Sequence, residues 1–194
     1  MNTHLLRSTL GLAVLGLPAL AMGHAAGAGA SAAHHGFGAG FVHPFTGIDH
    51  LLAMLLIGLW SATLTRRWWV TPLAFVAMLL VGALLASAGL RLPAVEPVIA
   101  LSLVLLGGLL AARTAWPAAA CAAVAALFAL FHGAAHGTEL QGPDALAGMV
   151  LATALLHAIG LLAGHALPRH SVWWPRAAGI AASLTGAVLL FGAV

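Results

Sequence analysis

Charge is what this chain has least of. Only 6% of its 194 residues are charged and 62% are hydrophobic, whereas soluble domains carry about 25% charged residues. Mean hydropathy is +1.08. Lysine and tyrosine are absent, and asparagine occurs once, at Asn2. Four acids and seven arginines cannot clothe a water-facing surface. A soluble enzyme or binding domain is therefore excluded, and lipid is the expected solvent. The pI of 11.2 rests on arginines scattered along the chain, adjacent only at Arg66 and Arg67. Nucleic-acid binding requires basic residues gathered on one face and is not expected. Cys121 stands alone in an apolar run, so neither an internal disulfide nor a thiolate cluster can form. No G-x-x-x-x-G-K-[ST] sequence is present, so this chain is not expected to hydrolyse nucleotide.

Apolar length is what the chain has most of. Residues 1–21 carry Arg7, an apolar stretch from Leu10 to Leu17 and then Ala19-Leu20-Ala21, the layout of a secretory signal peptide. Residues 22–46 begin as Gly, Ala and His with little else and are expected to form a flexible periplasmic arm. Six apolar stretches follow, near 47–64, 70–90, 95–112, 116–135, 145–167 and 174–194. Each approaches the roughly 20 residues of a membrane helix, and apolar residues on every side argue against a β-barrel. The predicted fold is all-α: a polytopic bundle of six transmembrane helices over residues 47–194. With the arm outside, inner loops hold Arg66, Arg67, Arg113, Arg169 and Arg176, and outer loops only Arg91. That bias places the chain in the bacterial inner membrane with its arm and C-terminus periplasmic. It also sets Asp49, Glu96, Glu139 and Asp144 at or near the outer face. Small-residue pairs, Gly160 with Gly164 and Gly179 with Ser183, predict close helix packing within the bundle or between copies, so a homo-oligomer is one expectation.

Eleven histidines beside four acids is an unusual allocation. Ionisable groups at membrane depth are costly and mark pathways or ligand sites. The first group is HPFTGIDHLLAM. His43 precedes Pro44, which disfavours helix before it. Asp49 and His50 fall in the first turn of a helix, with Met54 four residues on along the same face. Imidazole, carboxylate and thioether together suit Ni²⁺, Co²⁺ or Cu²⁺. A packed histidine and a helix-dipole partner are the bland alternative. The second group is FHGAAHGTEL, where His132, His136 and Glu139 share a face if helix continues through Gly133 and Gly137. A frayed end or re-entrant turn is the other reading. His157, halfway along the fifth stretch, shares a stripe with Thr153, Gly160 and Gly164. It is either a relay toward His165 and His170 or a buried histidine bonded to a neighbouring helix. The arm adds His24, His34 and His35 as candidates for metal capture. Cleavage after Ala21 would expose Met22-Gly23-His24, whose amine, backbone nitrogens and imidazole form a square-planar set for Ni²⁺ or Cu²⁺.

These residues resemble the HupE/UreJ family of bacterial nickel or cobalt permeases. The family pattern H-P-x-x-G-x-D-H-x-L-x-M is met by His43, Pro44, Gly47, Asp49, His50, Leu52 and Met54. The pattern F-H-G-x-A-H-G-x-E is met by Phe131, His132, Gly133, Ala135, His136, Gly137 and Glu139, and GMVLATALLHAIG around His157 is also similar. The resemblance implies a secondary permease, not an enzyme. It would supply nickel for hydrogenase or urease maturation, with the ion as substrate and no permanently bound cofactor. Taken alone, the residues indicate only a borderline divalent cation. A membrane zinc hydrolase using the same His/Asp cluster is the first rival, but no nucleophile-elbow serine is present and no general base remains once ligands are assigned. Haem ligation by histidine pairs is the second, opposed by the gathering of histidines at one face.

Overall fold

The computed structural model describes residues 34–166 and 172–192. The expected signal peptide, His24, Arg169 and His170 lie outside the described residues. Those described form seven helices: α1 (Phe37–Thr46), α2 (Ile48–Leu64), α3 (Val70–Ser87), α4 (Val95–Ala112), α5 (Ala118–Glu139), α6 (Pro143–Ala166) and α7 (Trp173–Gly192). Two short strands, β1 (His34–His35) and β2 (Leu140–Gln141), pair in parallel with His34 opposite Leu140.

The apolar stretches become helices because lipid offers no partner for backbone groups. Helices α3 to α7 are each long and apolar enough to cross a membrane, and the bent pair α1–α2 makes a sixth when counted as one broken span. The all-α bundle expected from the sequence is thus the observed fold. Large apolar side chains such as Leu127, Leu162, Leu184 and Val188 stay exposed on its flanks, a surface suited to lipid rather than water. Trp68, Trp69, Trp116, Trp173 and Trp174 are exposed at the end that carries Arg66, Arg67, Arg113 and Arg176. Tryptophan collects where apolar and polar phases meet.

Residues 37–46 depart from the flexible arm expected over 22–46, since they form helix α1. Glycine contacts explain the order. A Cβ on Gly40 would overlap the Ala145 carbonyl, and one on Gly148 the Phe37 carbonyl, so α1 and α6 meet backbone to backbone. Phe37, Phe41 and Phe45 then line one side at four-residue spacing, with centroids 6.2 and 5.8 Å apart. Pro44 does not keep His43 out of the helix. The turn ends two residues later, where the Thr46 hydroxyl donates to the His43 carbonyl at 2.7 Å. Gly47 is extended, and α2 leaves at 86° to α1. That bend folds α1 back over one end of the bundle.

Helix α3 packs on α5, α4 on α7, and α2 on α6. Glycines set each interface. Gly133 and Gly137 face the Leu79 and Ala83 carbonyls of α3, and Gly160 faces Leu55 and Gly58 of α2. Gly179 meets Gly107, while the Ser183 hydroxyl donates to the Val104 carbonyl at 2.9 Å. The small-residue pairs therefore serve packing within one chain. They also answer the question left open at Gly133: α5 runs unbroken to Glu139, because both glycines face another helix instead of ending their own.

Candidate functional site

The bend at Gly47 places Asp49 in the first turn of α2, next to His50. One carboxylate oxygen, Asp49 Oδ1, accepts from the His50 backbone N–H at 2.8 Å and faces His50 Nδ1 at 3.0 Å. An ionised carboxylate only accepts, so Nδ1 holds the proton and Nε2 the lone pair. A carboxylate behind an imidazole in this way orients many metal-ligating histidines.

Unbroken α5 presents His132 and His136 one turn apart on a single buried face, with Glu139 in its last turn. Helix α1, folded back, brings His43 to the same place. His43 Nε2 lies 2.7 Å from Glu139 Oε2, and the His43 and His136 ring centroids are 4.9 Å apart. His43, His136 and Glu139 can each offer one ligand atom, all within 4.8 Å of one another. First-row metals bind such atoms at about 2.0–2.2 Å, so small side-chain movements would close this group on an ion. His43 and Glu139 are partly exposed and His136 is buried, so the group forms a mouth.

Deeper in, the proton positions follow from the partners. The Ser102 hydroxyl of α4 donates to the Ile99 carbonyl at 2.6 Å, and its oxygen lies 3.1 Å from His132 Nε2. With its proton committed, the hydroxyl accepts, so His132 Nε2 is the protonated nitrogen. The lone pair then sits on His132 Nδ1, which is buried with no hydrogen-bond partner among the described residues. His157 repeats the arrangement. Its Nδ1–H donates to the Met54 carbonyl at 2.7 Å, leaving Nε2 as the lone-pair atom, again buried and without a partner among the described residues.

The rings form a continuous row. From His43 it passes to His136, then to His50 at 4.2 Å and to His132 at 4.9 Å between centroids. Phe75 of α3 comes next, 5.7 Å from His132 and 5.1 Å from His157. His50, His132, His136 and His157 are all at most 3% exposed. Imidazoles flanked by carboxylates suit borderline divalent ions such as Ni²⁺, Co²⁺, Cu²⁺ and Zn²⁺.

Of the residues singled out from sequence, His43, Asp49, His50, His132, His136, Glu139 and His157 fall in this row or beside it. Met54 lies on the expected face of α2, with its side chain in the apolar core and its carbonyl serving His157. His34 and His35 lie in β1, whose partner strand begins immediately after Glu139. His165 bonds back to the Leu161 carbonyl of its own helix. Sequence reasoning missed Ser102 and Phe75. A hydroxyl inside the otherwise apolar run of α4 was the one available signal for Ser102, while a phenylalanine among apolar residues carried none.

Comparison with known proteins fits this geometry. A family profile described as HupE / UreJ protein matches residues 12–189. The chain is 40% identical over 190 residues to protein HupE of Rhizobium leguminosarum bv. viciae, which covers 95% of this chain and 97% of that protein. No solved structure matches it.

Proposed function

Because the chain belongs to the HupE/UreJ family, we propose that it is a secondary permease for a divalent transition-metal ion, Ni²⁺ first and Co²⁺ second. The ion would cross the bacterial inner membrane for supply to hydrogenase or urease maturation. One observation carries the reading: four imidazole rings, His43, His136, His50 and His132, lead inward from a partly exposed mouth at His43 and Glu139, and Phe75 joins them to His157 midway along α6. A resident cofactor needs one closed ligand set. A moving ion needs several successive sets, each weak enough to release it. Histidines at close steps, held in the required tautomer by Asp49, Ser102 and the Met54 carbonyl, fit the second need.

Direction follows from charge. The end opposite the mouth carries Arg66, Arg67, Arg113 and Arg176, against Arg91 at the mouth end. On this reading, positive-inside bias would put the arginines in the cytoplasm and the mouth in the periplasm. The carboxylates of Asp49 and Glu139 would then concentrate cations where they arrive.

The test is uptake of radiolabelled Ni²⁺ into proteoliposomes, with wild type compared to His50→Ala. Uptake that collapses in the variant supports the path, and competition by Co²⁺, Zn²⁺ and Cu²⁺ ranks the ions. Well-folded wild type that takes up no more than empty vesicles would refute the permease.

A further inference from the structure

The histidine row ends at His157, roughly halfway along α6, yet an ion still has to reach the arginine-bearing end. Two features there have no part in the reading so far. The first is Phe75. It is fully buried, and among the rings joining His43 to His157 it alone has no ligand atom. Its ring packs against both His132, at 5.7 Å, and His157, at 5.1 Å between centroids.

The second is a pair of hydroxyls beyond Phe75. Thr71 stands one turn from Phe75 on α3, toward the arginine end, and Ser61 two turns from Met54 on α2, also toward that end. The two helices are joined there by the short link 65–69. Serine and threonine in apolar helices ordinarily donate to the carbonyl one turn back. Thr63, Thr65, Ser87 and Thr185 all do so in this protein. The Ser61 and Thr71 oxygens do not, nor does that of Thr153, one turn from His157 on the mouth side: all three residues are fully buried, and none of these oxygens has a hydrogen-bond partner among the described residues. The Trp60 indole N–H, next to Ser61, shares this condition. Burying a polar group with nothing to bond is costly, so Ser61, Thr71 and Trp60, all toward the arginine-bearing ends of α2 and α3, point to something that partners them.

We propose that Ser61 and Thr71 line a hydrated exit chamber in which the ion leaves its last imidazole ligand, His157, for water and hydroxyl oxygens, and that Phe75, packed against both His132 and His157, gates the step from the outer histidines to His157 and the chamber. The chemistry explains the order of parts. Imidazoles bind a borderline divalent ion more tightly than neutral hydroxyls do, so an ion that has passed to water and hydroxyl oxygens is held weakly and leaves readily. Trp60 Nε1 can only donate, so it orients water and does not touch the ion. An apolar ring between the two keeps the mouth and the exit from becoming one continuous water path. The inference rests on the permease reading for the identity of the traveller, but the chamber and gate can be tested without it.

Cysteine accessibility provides that test, in the full-length protein with Cys121→Ala, which removes the single native thiol. Thr71→Cys and Ser61→Cys are small changes, and each should react with a membrane-impermeant methanethiosulfonate applied from the arginine side. Neither should react from the mouth side until Phe75→Ala is added. Thiols inert from the arginine side would overturn the chamber, and thiols open from the mouth side with Phe75 intact would overturn the gate. A second readout is Ni²⁺ transport by Ser61→Ala combined with Thr71→Val. Loss of about one hydrogen bond per ion transfer predicts roughly tenfold slower uptake, with equilibrium Ni²⁺ binding to the purified protein unchanged. Uptake at the wild-type rate would count against the chamber. Absence of uptake in the wild type would instead refute the permease reading, and the labelling pattern would still decide the chamber and the gate.

Discussion

His157 and Met54 are 103 residues apart in sequence, and the imidazole Nδ1 of one donates to the backbone carbonyl of the other at 2.7 Å. This bond ties α6 to α2 where Gly160 and Gly58 bring the two backbones together. It also fixes the ring so that Nε2 keeps its lone pair. The structural bond and the proposed ligand atom therefore reside on different nitrogens of one side chain, and two substitutions separate them. Asparagine can replace the Nδ1 donor but not the Nε2 ligand. His157→Asn should unfold within a few degrees of wild type in detergent while uptake falls by about tenfold or more. His157→Ala loses both and should in addition be destabilised by about 1–3 kcal/mol. Wild-type uptake by His157→Asn would remove Nε2 from the pathway.

If His132 is a ligand in the proposed path, Ser102 acts on the ion through it. Its hydroxyl accepts a hydrogen bond from His132 Nε2–H and donates one to the Ile99 carbonyl. In Ser102→Ala the Nε2–H loses its acceptor, and the ring is free to turn or change tautomer. Substitutions behind a ligating histidine cost about 10–100-fold in metal affinity. Isothermal titration of purified Ser102→Ala with Ni²⁺ should show a loss in that range, and an unchanged dissociation constant would show that His132 is held without its help.

Much of this was legible in the sequence, for physical reasons that also explain what was not. Lipid imposes one rule on every residue of a span, so the apolar stretches and their number could be read directly. His132, His136 and Glu139 were legible as a set because helical periodicity depends only on spacing, once helix continues through the glycines. Helix α1 was not legible: its composition resembles that of an arm, and its order comes from backbone contact with α6 at Gly40 and Gly148, which no local pattern reveals. Phe75 and Ser102 were hidden for the same reason. A phenylalanine or serine in a membrane helix acquires meaning only from what another helix sets against it.

Gly133 offers a direct check on how helix packing sustains the site. A Cβ there would overlap the Leu79 carbonyl, a rigid backbone atom, so α5 would have to move away from α3. His132 is its neighbour and His136 lies on the same helix. Gly133→Ala should therefore cost about 1–3 kcal/mol of stability and lower Ni²⁺ uptake together. Gly108→Ala is the control, because a Cβ at that position meets only the Ser183 hydroxyl at 3.9 Å. It should leave thermal unfolding and uptake unchanged. Equal tolerance of both substitutions would mean that the α3–α5 contact can relax without cost.

Glu139 and His132 should separate capture from passage. Glu139 Oε2 pairs with His43 Nε2 at 2.7 Å where the row is partly open, whereas His132 is fully buried one ring beyond His50. A carboxylate at a mouth raises the local concentration of cations and supplies an early ligand, but the ion leaves it before the slow interior steps. Glu139→Gln keeps the shape and removes the charge. It should raise the KM for Ni²⁺ uptake by about tenfold with little change in maximal rate, and the difference should shrink as ionic strength screens the mouth. His132→Ala interrupts the row between His50 and Phe75, so it should lower the maximal rate and spare initial capture. Uptake kinetics over a range of Ni²⁺ and salt concentrations distinguish the two patterns. If the pair were reversed, with Glu139 setting the maximal rate and His132 the KM, the ion would have to enter from the arginine-bearing end.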